Sequence, residues 1–224
     1  MIRIALPKSR LWKESCLLLQ LLGMPMDTSD RRYVCSHPRA RLEAVLLKIP
    51  DIPRAVADGW VDFAVACDEW LAEDDGPWIP MTPLCWYHLR MCVLAPEGGP
   101  ETASRTFARP GRPLTVATSY PVTTSRLLGA DGPVEVRSVA GAAEAYPGRM
   151  TDVAVDCVET GGTARANGLA IVRDLMRCDV RLVRSVSTDP SHPAARMVID
   201  AVKTLAVDQA CSFGQVRPPA RSLR

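Results

Sequence analysis

Two acidic residues lie beside a glycine-containing turn in the segment VAVDCVETGGTARANGL, residues 153–169. Asp156 falls near the end of an apolar run that predicts a buried strand, and Glu159 follows it. The turn Thr160–Thr163 comes next and leads into helix-forming residues. Its glycine pair lets successive backbone N–H groups converge, and such a turn at a helix N-terminus binds phosphate. The segment therefore predicts an anion site with carboxylates beside it.

The acids and the turn require a common explanation, because carboxylates repel a bound phosphate unless they address another part of the ligand. A sugar phosphate meets both requirements: its ribose hydroxyls donate to the carboxylates while the turn holds the 5-phosphate. The alternative is a plain strand-to-helix turn in which Thr163 caps a helix beginning at Ala164. A Walker loop and a dinucleotide fingerprint are both excluded, since neither G-K-[ST] nor G-x-G-x-x-G occurs here.

The elements that must position this segment alternate between strands and helices. Alternating apolar residues predict a first strand from Ile2 to Pro7, and LWKESCLLLQLLG predicts a helix that closes on Gly23. Further strands are predicted in LEAVLLKI, VDFAVAC, LRMCVLAP, PLTVATSYP, VEVRSVAG, DVAVDCV and DVRLVRS. Further helices are predicted in DIPRAVADG with Asp51 at its N-cap, VTTSRLLGA, AAEAYPG, TARANGLAIVRDL and residues 193–210. This alternation is typical of parallel sheets covered by helices, a βαβ architecture.

Composition narrows the function class. The chain has 224 residues, of which 47% are hydrophobic, enough for one large core or two small ones. The formal net charge is +2 with scattered basic residues, so we expect neither a nucleic acid nor a membrane surface as partner. The start MIRIALPKSRLWK predicts no signal peptide, and no segment approaches the ~20 apolar residues of a membrane span.

Cysteine and histidine usage points to a reduced cytoplasmic protein without a metal centre. The eight cysteines include no C-x-x-C pair, and several lie inside apolar segments, which favours buried thiols over a disulfide framework. His88 and His192 have no Cys, His or carboxylate at ligand spacing. The Pro- and Gly-rich stretch PEGGPETASRTFARPGRP predicts a surface loop or a domain crossing, and residues 213–224 predict a disordered tail.

Five segments occur in a specific order: IRIALPKSRL, KIPDIPRAVADGWVDFAV, VATSYP, VAGAAEAYP and DCVETGGTARANGL. In that order they resemble the P-K-G-R-L, D-I-P/G-x-x-D, A-T-x-Y-P, G-x-x-E-x-A-P and phosphoribosyl-pyrophosphate motifs of the ATP phosphoribosyltransferase family, the enzymes that begin histidine biosynthesis. The resemblance runs from Ile2 to about Arg184. Because the extra regulatory domain of the long form is lacking, the chain is similar to the short form, which works with a partner resembling a histidyl-tRNA synthetase.

The resemblance implies a fold and a reaction. The fold would be α/β and two-lobed, similar to a type II periplasmic binding protein, with the active site in the cleft between the lobes. Lobe I would comprise residues 1–95 and 180–212, and lobe II residues 96–179. The reaction would transfer 5-phosphoribosyl from phosphoribosyl pyrophosphate to N1 of ATP and release pyrophosphate. Mg²⁺ would arrive with the substrate, and we expect a cytoplasmic homo-oligomer.

The resemblance also implies roles for individual residues. Cations for the leaving pyrophosphate and the ATP phosphates would be Lys8, Arg10, Arg31 and Lys48. Phosphoribosyl pyrophosphate would be held by Glu144, Asp156, Glu159, Thr160, Gly161, Gly162 and Thr163. The ATP side would involve Ser9, Asp68, Glu69 and Tyr120, with Tyr120 or Trp86 as a stacking face. The alternatives are a solvated charge for Arg31, a strand end for Lys48, and plain core or rim packing for the two aromatic residues.

The sequence departs from the family pattern on the ATP side. Ser9, Ala64, Cys67 and Tyr87 stand where the family has glycine, and Glu69 occupies the aspartate position. Each glycine replacement adds a side chain where the backbone would otherwise approach a ligand. The pattern suggests an altered acceptor, as in coformycin- or pentostatin-type nucleoside pathways. The alternatives from other classes are a non-catalytic two-lobed ligand-binding protein and a regulatory paralogue.

Overall fold

A mixed sheet organises the chain in the computed structural model, which describes residues 1–26, 31–99 and 111–212. Within those ranges the strands are β1 Ile2–Pro7, β2 Val34–Ser36, β3 Leu42–Leu47, β4 Phe63–Cys67, β5 Trp78–Pro96, β6 Leu114–Thr118, β7 Val134–Ser138, β8 Val153–Val158 and β9 Leu169–Ser185. The helices are α1 Trp12–Leu21, α2 Ile52–Ala57, α3 Asp68–Asp74, α4 Pro121–Leu128, α5 Gly162–Ala166 and α6 Pro193–Ser212. The predicted tail, residues 213–224, lies outside the described residues.

The strands are ordered β2-β3-β1-β4-β9-β5-β8-β6-β7. β1 pairs in parallel with β3 and β4, and β6 pairs in parallel with β7 and β8. These two parallel groups lie on either side of β5 and β9, which pair antiparallel with each other and with β8 and β4 respectively. The α/β prediction is therefore confirmed, but the expectation of purely parallel sheets is wrong because the two longest strands run against their neighbours.

Among the described residues, apolar side chains form two core clusters in each half of the sheet. The larger cluster of the first half includes Ile4, Phe63 and Val198 and is covered by α1 and α6. The larger cluster of the second half gathers residues of β5, β6, β8 and α4, including Met91 and Val155. Both larger clusters draw on the long strands, which change from one cluster to the other between residues 86 and 89 of β5 and between residues 178 and 180 of β9.

Helix α3 joins the two halves. The Glu73 carboxylate accepts hydrogen bonds from the N–H groups of Val122 and Thr123, each at 2.9 Å. These donors belong to the first turn of α4, where helical N–H groups lack an intrahelical acceptor. One turn earlier, Trp70 packs against Tyr120 with ring centroids 4.8 Å apart. A carboxylate of one half thus caps a helix of the other.

The predicted helix over TARANGLAIVRDL is wrong for most of its length. Helix α5 ends at Ala166, and Gly168 follows with φ +69°, a left-handed conformation that terminates helices. Residues from Leu169 onward then pair with β5. Pairing with a neighbouring strand overrides the local helical pattern here.

Three further elements were not predicted: β2, α3 and the first part of β5. The β5 sequence WIPMTP contains Pro80 and Pro83, which cannot donate to a ladder and argue against a strand. The structure accommodates them through register shifts between β5 and β9 at these positions. Free thiols are found at Cys16, Cys35, Cys67, Cys85, Cys92, Cys157 and Cys178. In the same part of the chain, no helix combines the length and apolar character that crossing a membrane requires.

Asp152 anchors the start of β8 through a bidentate ion pair. Its carboxylate accepts bonds from Arg112 at 2.6 and 2.7 Å and from the N–H and hydroxyl of Thr115 at 2.9 and 2.8 Å. Hydrogen bonding from Arg112 holds the pKa of Asp152 well below its ordinary value. A carboxyl with a lowered pKa stabilises the fold above its unfolded pKa of about 3.9, and that contribution is lost as the pH falls further.

We therefore expect Asp152→Asn to lower the free energy of unfolding by about 1–3 kcal/mol at pH 7. The difference from wild type should shrink below about pH 4, because the Asp152 carboxyl of the unfolded chain then binds a proton while that of the folded protein stays ionised. Denaturant unfolding at pH 7 and at pH 3 measures both effects. Glu135→Gln, which breaks the exposed pair with Arg137, is the control and should change stability little. An equal loss in the two variants would contradict this role of Asp152.

Candidate active site

The glycine turn after β8 has the geometry of a ligand-binding loop. Gly161 is the N-cap of α5 and has φ +74°. A Cβ atom there would lie 3.1 Å from Arg165 Nη1 and 3.3 Å from Ile171 Cδ1, which are the ends of flexible side chains, so it is the left-handed backbone conformation that favours glycine. Helix α5 begins at Gly162, so the prediction that Thr163 caps a helix starting at Ala164 is wrong. Thr163 lies in the first turn instead.

A cleft of about 230 Å³ opens over this turn, and we call it the turn cleft. Its lining residues are Arg10, Leu89, Glu144, Cys157, Val158, Glu159, Thr160, Gly161, Gly162, Thr163 and Ala164. They come from β8, α5, the short 3-10 turn Ala143–Ala145, β5 and the loop after β1. The structure thus brings six of the seven residues predicted for the phosphoribosyl side into one cleft, together with one predicted cation.

The seventh residue, Asp156, is half-buried beside the cleft. Its Oδ1 accepts the N–H of Cys157 at 2.7 Å. Burial raises the pKa of Asp156 to about 6; the nearby charge of Glu144 adds to the rise, while Arg10 opposes it. Ala142, which precedes the Glu144 turn, has φ +50°, a strained conformation for a residue with a side chain. Asp156 and Glu144 thus lie close together, and no salt bridge to either is found among the described residues, an arrangement typical of functional sites.

Arg10 is held by a buried hydrogen-bonded group. Its Nη2 donates to Glu69 Oε1 at 2.8 Å and to the Tyr87 hydroxyl at 3.4 Å. The Tyr87 hydroxyl donates to the same Glu69 oxygen at 2.7 Å, and the guanidinium lies 5.0 Å from the centroid of the Tyr87 ring. Glu69 is 0% exposed, and burial raises its pKa while the bonds from Tyr87 and Arg10 oppose the rise.

A second cleft of about 240 Å³ adjoins the turn cleft, and we call it the wall cleft. It is lined by Arg10, Leu11, Glu14, Trp86, Tyr87, Leu89 and Glu159. Three of these residues, Arg10, Leu89 and Glu159, also line the turn cleft. Trp86 Nε1 and Glu14 Oε2 are buried and have no hydrogen-bond partner among the described residues.

Two lysines meet in a third cleft of about 380 Å³, the lysine cleft. Its lining residues are Lys8, Ser9, Trp12, Tyr33, Leu47 and Lys48. The Lys8 ammonium lies 4.2 Å from the Tyr33 ring centroid and 5.6 Å from that of Trp12. Ser9 has φ +85°, so the chain keeps a glycine-like backbone although it carries a side chain. Arg31 is exposed and does not line any of these three clefts.

Several predicted ATP-side residues have structural partners instead. Asp68 receives two hydrogen bonds from Arg181, at 2.5 and 2.6 Å. Tyr120 is 5% exposed and packs against Trp70, which agrees with the core-packing alternative. The idea that every glycine replacement faces a ligand is wrong for Ala64, which lies fully buried in the core beneath α2. Trp86 does line a cleft, as described above.

Sequence reasoning missed the partners of the cations. Tyr33 and Trp12 flank Lys8, and Tyr87 supports Arg10. Among these, only Tyr87 carried a signal, as a departure from the family pattern. Among the described residues, no group of three or more His, Cys, Asp and Glu side chains is arranged to hold a metal ion. His88 pairs with Asp179 at 2.6 Å on the surface.

Comparison with known proteins identifies the family. The model of the ATP phosphoribosyltransferase family matches residues 48–204. The ATP phosphoribosyltransferase of Alkaliphilus metalliredigens is 32% identical over 207 residues, which cover 90% of this chain and 96% of that protein. The enzyme of Gemmatimonas aurantiaca is 34% identical over 190 residues, covering 84% of this chain but only 65% of that longer relative.

Solved structures give the fold. The ATP phosphoribosyl transferase (HisG:HisZ) complex from Thermotoga maritima superposes with a TM-score of 0.80 at 19% identity, covering 94% of this chain and all of the matched chain. The arginine-, lysine-, histidine-binding protein ArtJ from Geobacillus stearothermophilus gives 0.53 at 10% identity, covering 97% and 96%. The fold is accordingly the two-lobed, type II periplasmic-binding-protein-like one. On the match over most of its length, the chain belongs to the ATP phosphoribosyltransferase family.

Proposed function

We propose that the protein transfers 5-phosphoribosyl from phosphoribosyl pyrophosphate to N1 of ATP or a close purine nucleotide, releasing pyrophosphate. The observation that carries this proposal is the turn cleft, where a glycine turn, Glu144, Glu159 and Arg10 line one space. Such a site offers hydrogen-bond donors to a phosphate, acceptors to ribose hydroxyls and a cation to a leaving group. A plain strand-to-helix turn requires none of these side chains.

Phosphoribosyl pyrophosphate, the donor substrate, is proposed to bind in the turn cleft with its 5-phosphate at the glycine turn and its pyrophosphate at Arg10. The 5-phosphate is bound by the N–H groups of residues 160–163, and the ribose hydroxyls donate to Glu159 and Asp156. As the bond to pyrophosphate breaks, the anomeric carbon becomes cation-like, and the carboxylates of Glu144 and Asp156 stabilise it. Arg10 also lines this cleft and stabilises the charge that develops on the pyrophosphate.

The acceptor is proposed to approach from the wall cleft. That cleft shares Glu159 and Arg10 with the turn cleft, so a base bound there lies next to the donor sugar. Adenine N1 needs orientation and no strong base to attack the anomeric carbon. Lys8 and Lys48 in the lysine cleft bind further phosphate oxygens, and Arg31 is proposed for the same purpose from its exposed position.

Mg²⁺ is proposed to arrive with phosphoribosyl pyrophosphate. The neighbouring carboxylates Glu144 and Asp156 suit a hard cation that prefers oxygen ligands and keeps several waters. When bound, the ion neutralises charge on the pyrophosphate. The two carboxylates would hold it. Burial and, to a lesser extent, the charge of Glu144 raise the pKa of Asp156, and a bound cation would oppose that rise.

Cellular setting and assembly belong to the same proposal. We propose a cytoplasmic homo-oligomer with the lobe division 1–95 plus 180–212 and 96–179. Because the Thermotoga maritima neighbour is a HisG:HisZ complex, a histidyl-tRNA-synthetase-like partner is proposed here as well. The pathway is histidine biosynthesis, with a coformycin- or pentostatin-type nucleoside pathway as the alternative that the departures on the ATP side suggest.

The decisive experiment combines the protein with phosphoribosyl pyrophosphate, Mg²⁺ and ATP. We expect the absorbance of the phosphoribosylated product and released pyrophosphate to rise in parallel, and repeating the assay with ADP, AMP and other purine nucleotides identifies the acceptor.

Asp156→Asn should lower kcat/KM for phosphoribosyl pyrophosphate on the order of 10²-fold. Asp200→Asn, the same change at an exposed position on α6, is the control. Ligand binding without turnover by the wild type would instead identify a binding protein or a regulatory paralogue.

The raised pKa of Asp156 gives a pH prediction. The kcat/KM for phosphoribosyl pyrophosphate should fall as the pH drops through about 6, because the protonated acid is a weaker acceptor. Glu144→Gln removes a negative charge beside Asp156, lowers its pKa and should move this acidic limb to lower pH. Substrate phosphates titrate in the same range, so the comparison is between variants assayed with the same substrate. An acidic limb that stays in place would contradict the coupling.

The strained backbone of Ser9 gives a further prediction. Ser9→Gly relieves a left-handed conformation that costs a residue with a side chain about 1–2 kcal/mol, offset by about 0.5–1 kcal/mol of glycine flexibility. We expect up to about 1 kcal/mol of added stability and an altered KM for the acceptor, with KM for phosphoribosyl pyrophosphate unchanged. Ser9→Ala keeps the strain and removes the hydroxyl, so it separates the two effects. A glycine variant that shifts only the donor KM would contradict the acceptor-side assignment.

A further inference from the structure

The strongest unexplained feature is the fully buried carboxylate of Glu69. Its Oε1 accepts hydrogen bonds from Arg10 and Tyr87, whereas Oε2 is buried with no hydrogen-bond partner among the described residues. Burying a carboxylate with one oxygen unpaired costs stability, and an apolar residue of similar volume would often be more favourable there. This cost in stability is explained if the Glu69 carboxylate orients the Arg10 guanidinium.

Arg10 occupies a position that makes its orientation important. It lines both the turn cleft and the wall cleft, and its side chain is 48% exposed. Among the described residues, both hydrogen bonds of Arg10 use Nη2, so Nη1 and Nε can donate to an anion in the clefts. The Tyr87 ring lies against the guanidinium and limits its rotation.

Three of the residues that depart from the family pattern lie together around Arg10. Cys67 and Tyr87 stand at glycine positions of the pattern and Glu69 at its aspartate position. In the structure Cys67 is buried beside the other two, and the nearby charge of Glu69 adds to the rise that burial causes in the pKa of its thiol. Residues that are separate in sequence thus form one contact group around Arg10.

We propose that Tyr87 and Glu69 are positioning residues that fix the Arg10 guanidinium in the wall between the two clefts, so that its free N–H groups meet the pyrophosphate. This inference rests on the proposed function for the identity of the anion. Glu69 lines neither cleft, and Tyr87 lines only the wall cleft. Both act through Arg10, and Tyr87 contributes its hydroxyl to the carboxylate and its ring face to the guanidinium.

The test combines Tyr87→Phe, Arg10→Lys and the double variant. Tyr87→Phe keeps the ring and removes the hydroxyl, so kcat should fall about tenfold and the inhibition constant of pyrophosphate should rise about tenfold, with KM for the acceptor within about twofold of wild type. Arg10→Lys should cost more because a lysine cannot replace the planar, forked donor. If Tyr87 acts through Arg10, the double variant loses no more than Arg10→Lys alone.

Matched variants separate positioning from a merely structural role. Tyr146→Phe makes the same chemical change outside the three clefts and should leave every constant unchanged. Glu69→Gln keeps a hydrogen-bond acceptor for Arg10 and Tyr87. It should therefore recover part of the kcat and of the pyrophosphate affinity that Glu69→Ala loses, even if the alanine variant folds poorly. Losses that multiply in the double variant, or an unchanged pyrophosphate constant in Tyr87→Phe, would overturn the proposal.

The proposal can be tested apart from turnover. Calorimetric titration with pyrophosphate and Mg²⁺ needs no acceptor, and Tyr87→Phe should weaken binding about tenfold there too. A wild type that binds pyrophosphate but transfers nothing would refute the proposed function while leaving this result interpretable. Equal pyrophosphate affinity in wild type and Tyr87→Phe would refute the positioning role in either case.

Discussion

The antiparallel pairing of β5 with β9 is the constraint on which the remaining structure depends. Each strand contributes side chains to both larger core clusters, so the two parallel groups of strands are parts of one sheet. The transition between the clusters falls between residues 86 and 89 of β5. Tyr87 lies within this transition, where neither cluster encloses it completely. The wall between the clefts is therefore a direct result of two strands that belong to both halves.

The carboxylates of this protein fall into two groups that differ in their partners. Carboxylates that stabilise the fold are paired with arginine forks, as Asp152 is with Arg112 and Asp68 with Arg181. Around the turn cleft, by contrast, Asp156 is half-buried near another carboxylate, and its pKa is raised rather than lowered. Two neighbouring carboxylates repel each other, and a cation or hydroxyl group bound between them relieves this repulsion. This difference in pairing, more than the count of charges, distinguishes the candidate site from the ordinary surface.

Local patterns predicted what short-range physics controls. The glycine turn, the alternating strand at residues 2–7 and the apolar strand before Asp156 follow from side-chain periodicity and backbone freedom, and the structure has them. The error over TARANGLAIVRDL arose because pairing with β5 decides the conformation beyond Gly168. The contact between Glu69 and Tyr87 spans 18 positions and depends on where the tertiary structure places the start of α3 relative to β5, which no local pattern contains. The family resemblance supplied residue roles but could not indicate that three of the departures, Cys67, Glu69 and Tyr87, meet in space.

The cap that Glu73 provides for α4 bears on how the protein folds and unfolds. If α3 separates from the sheet, two N–H donors at the start of α4 lose their acceptor, at a cost of about 1–3 kcal/mol. Loss of α4 in turn exposes Trp70, which packs on Tyr120. Together with the shared strands, this reciprocal dependence couples the stability of one half to that of the other. A substitution that loosens α3 is therefore expected to weaken both halves, although the substituted residue belongs to only one of them.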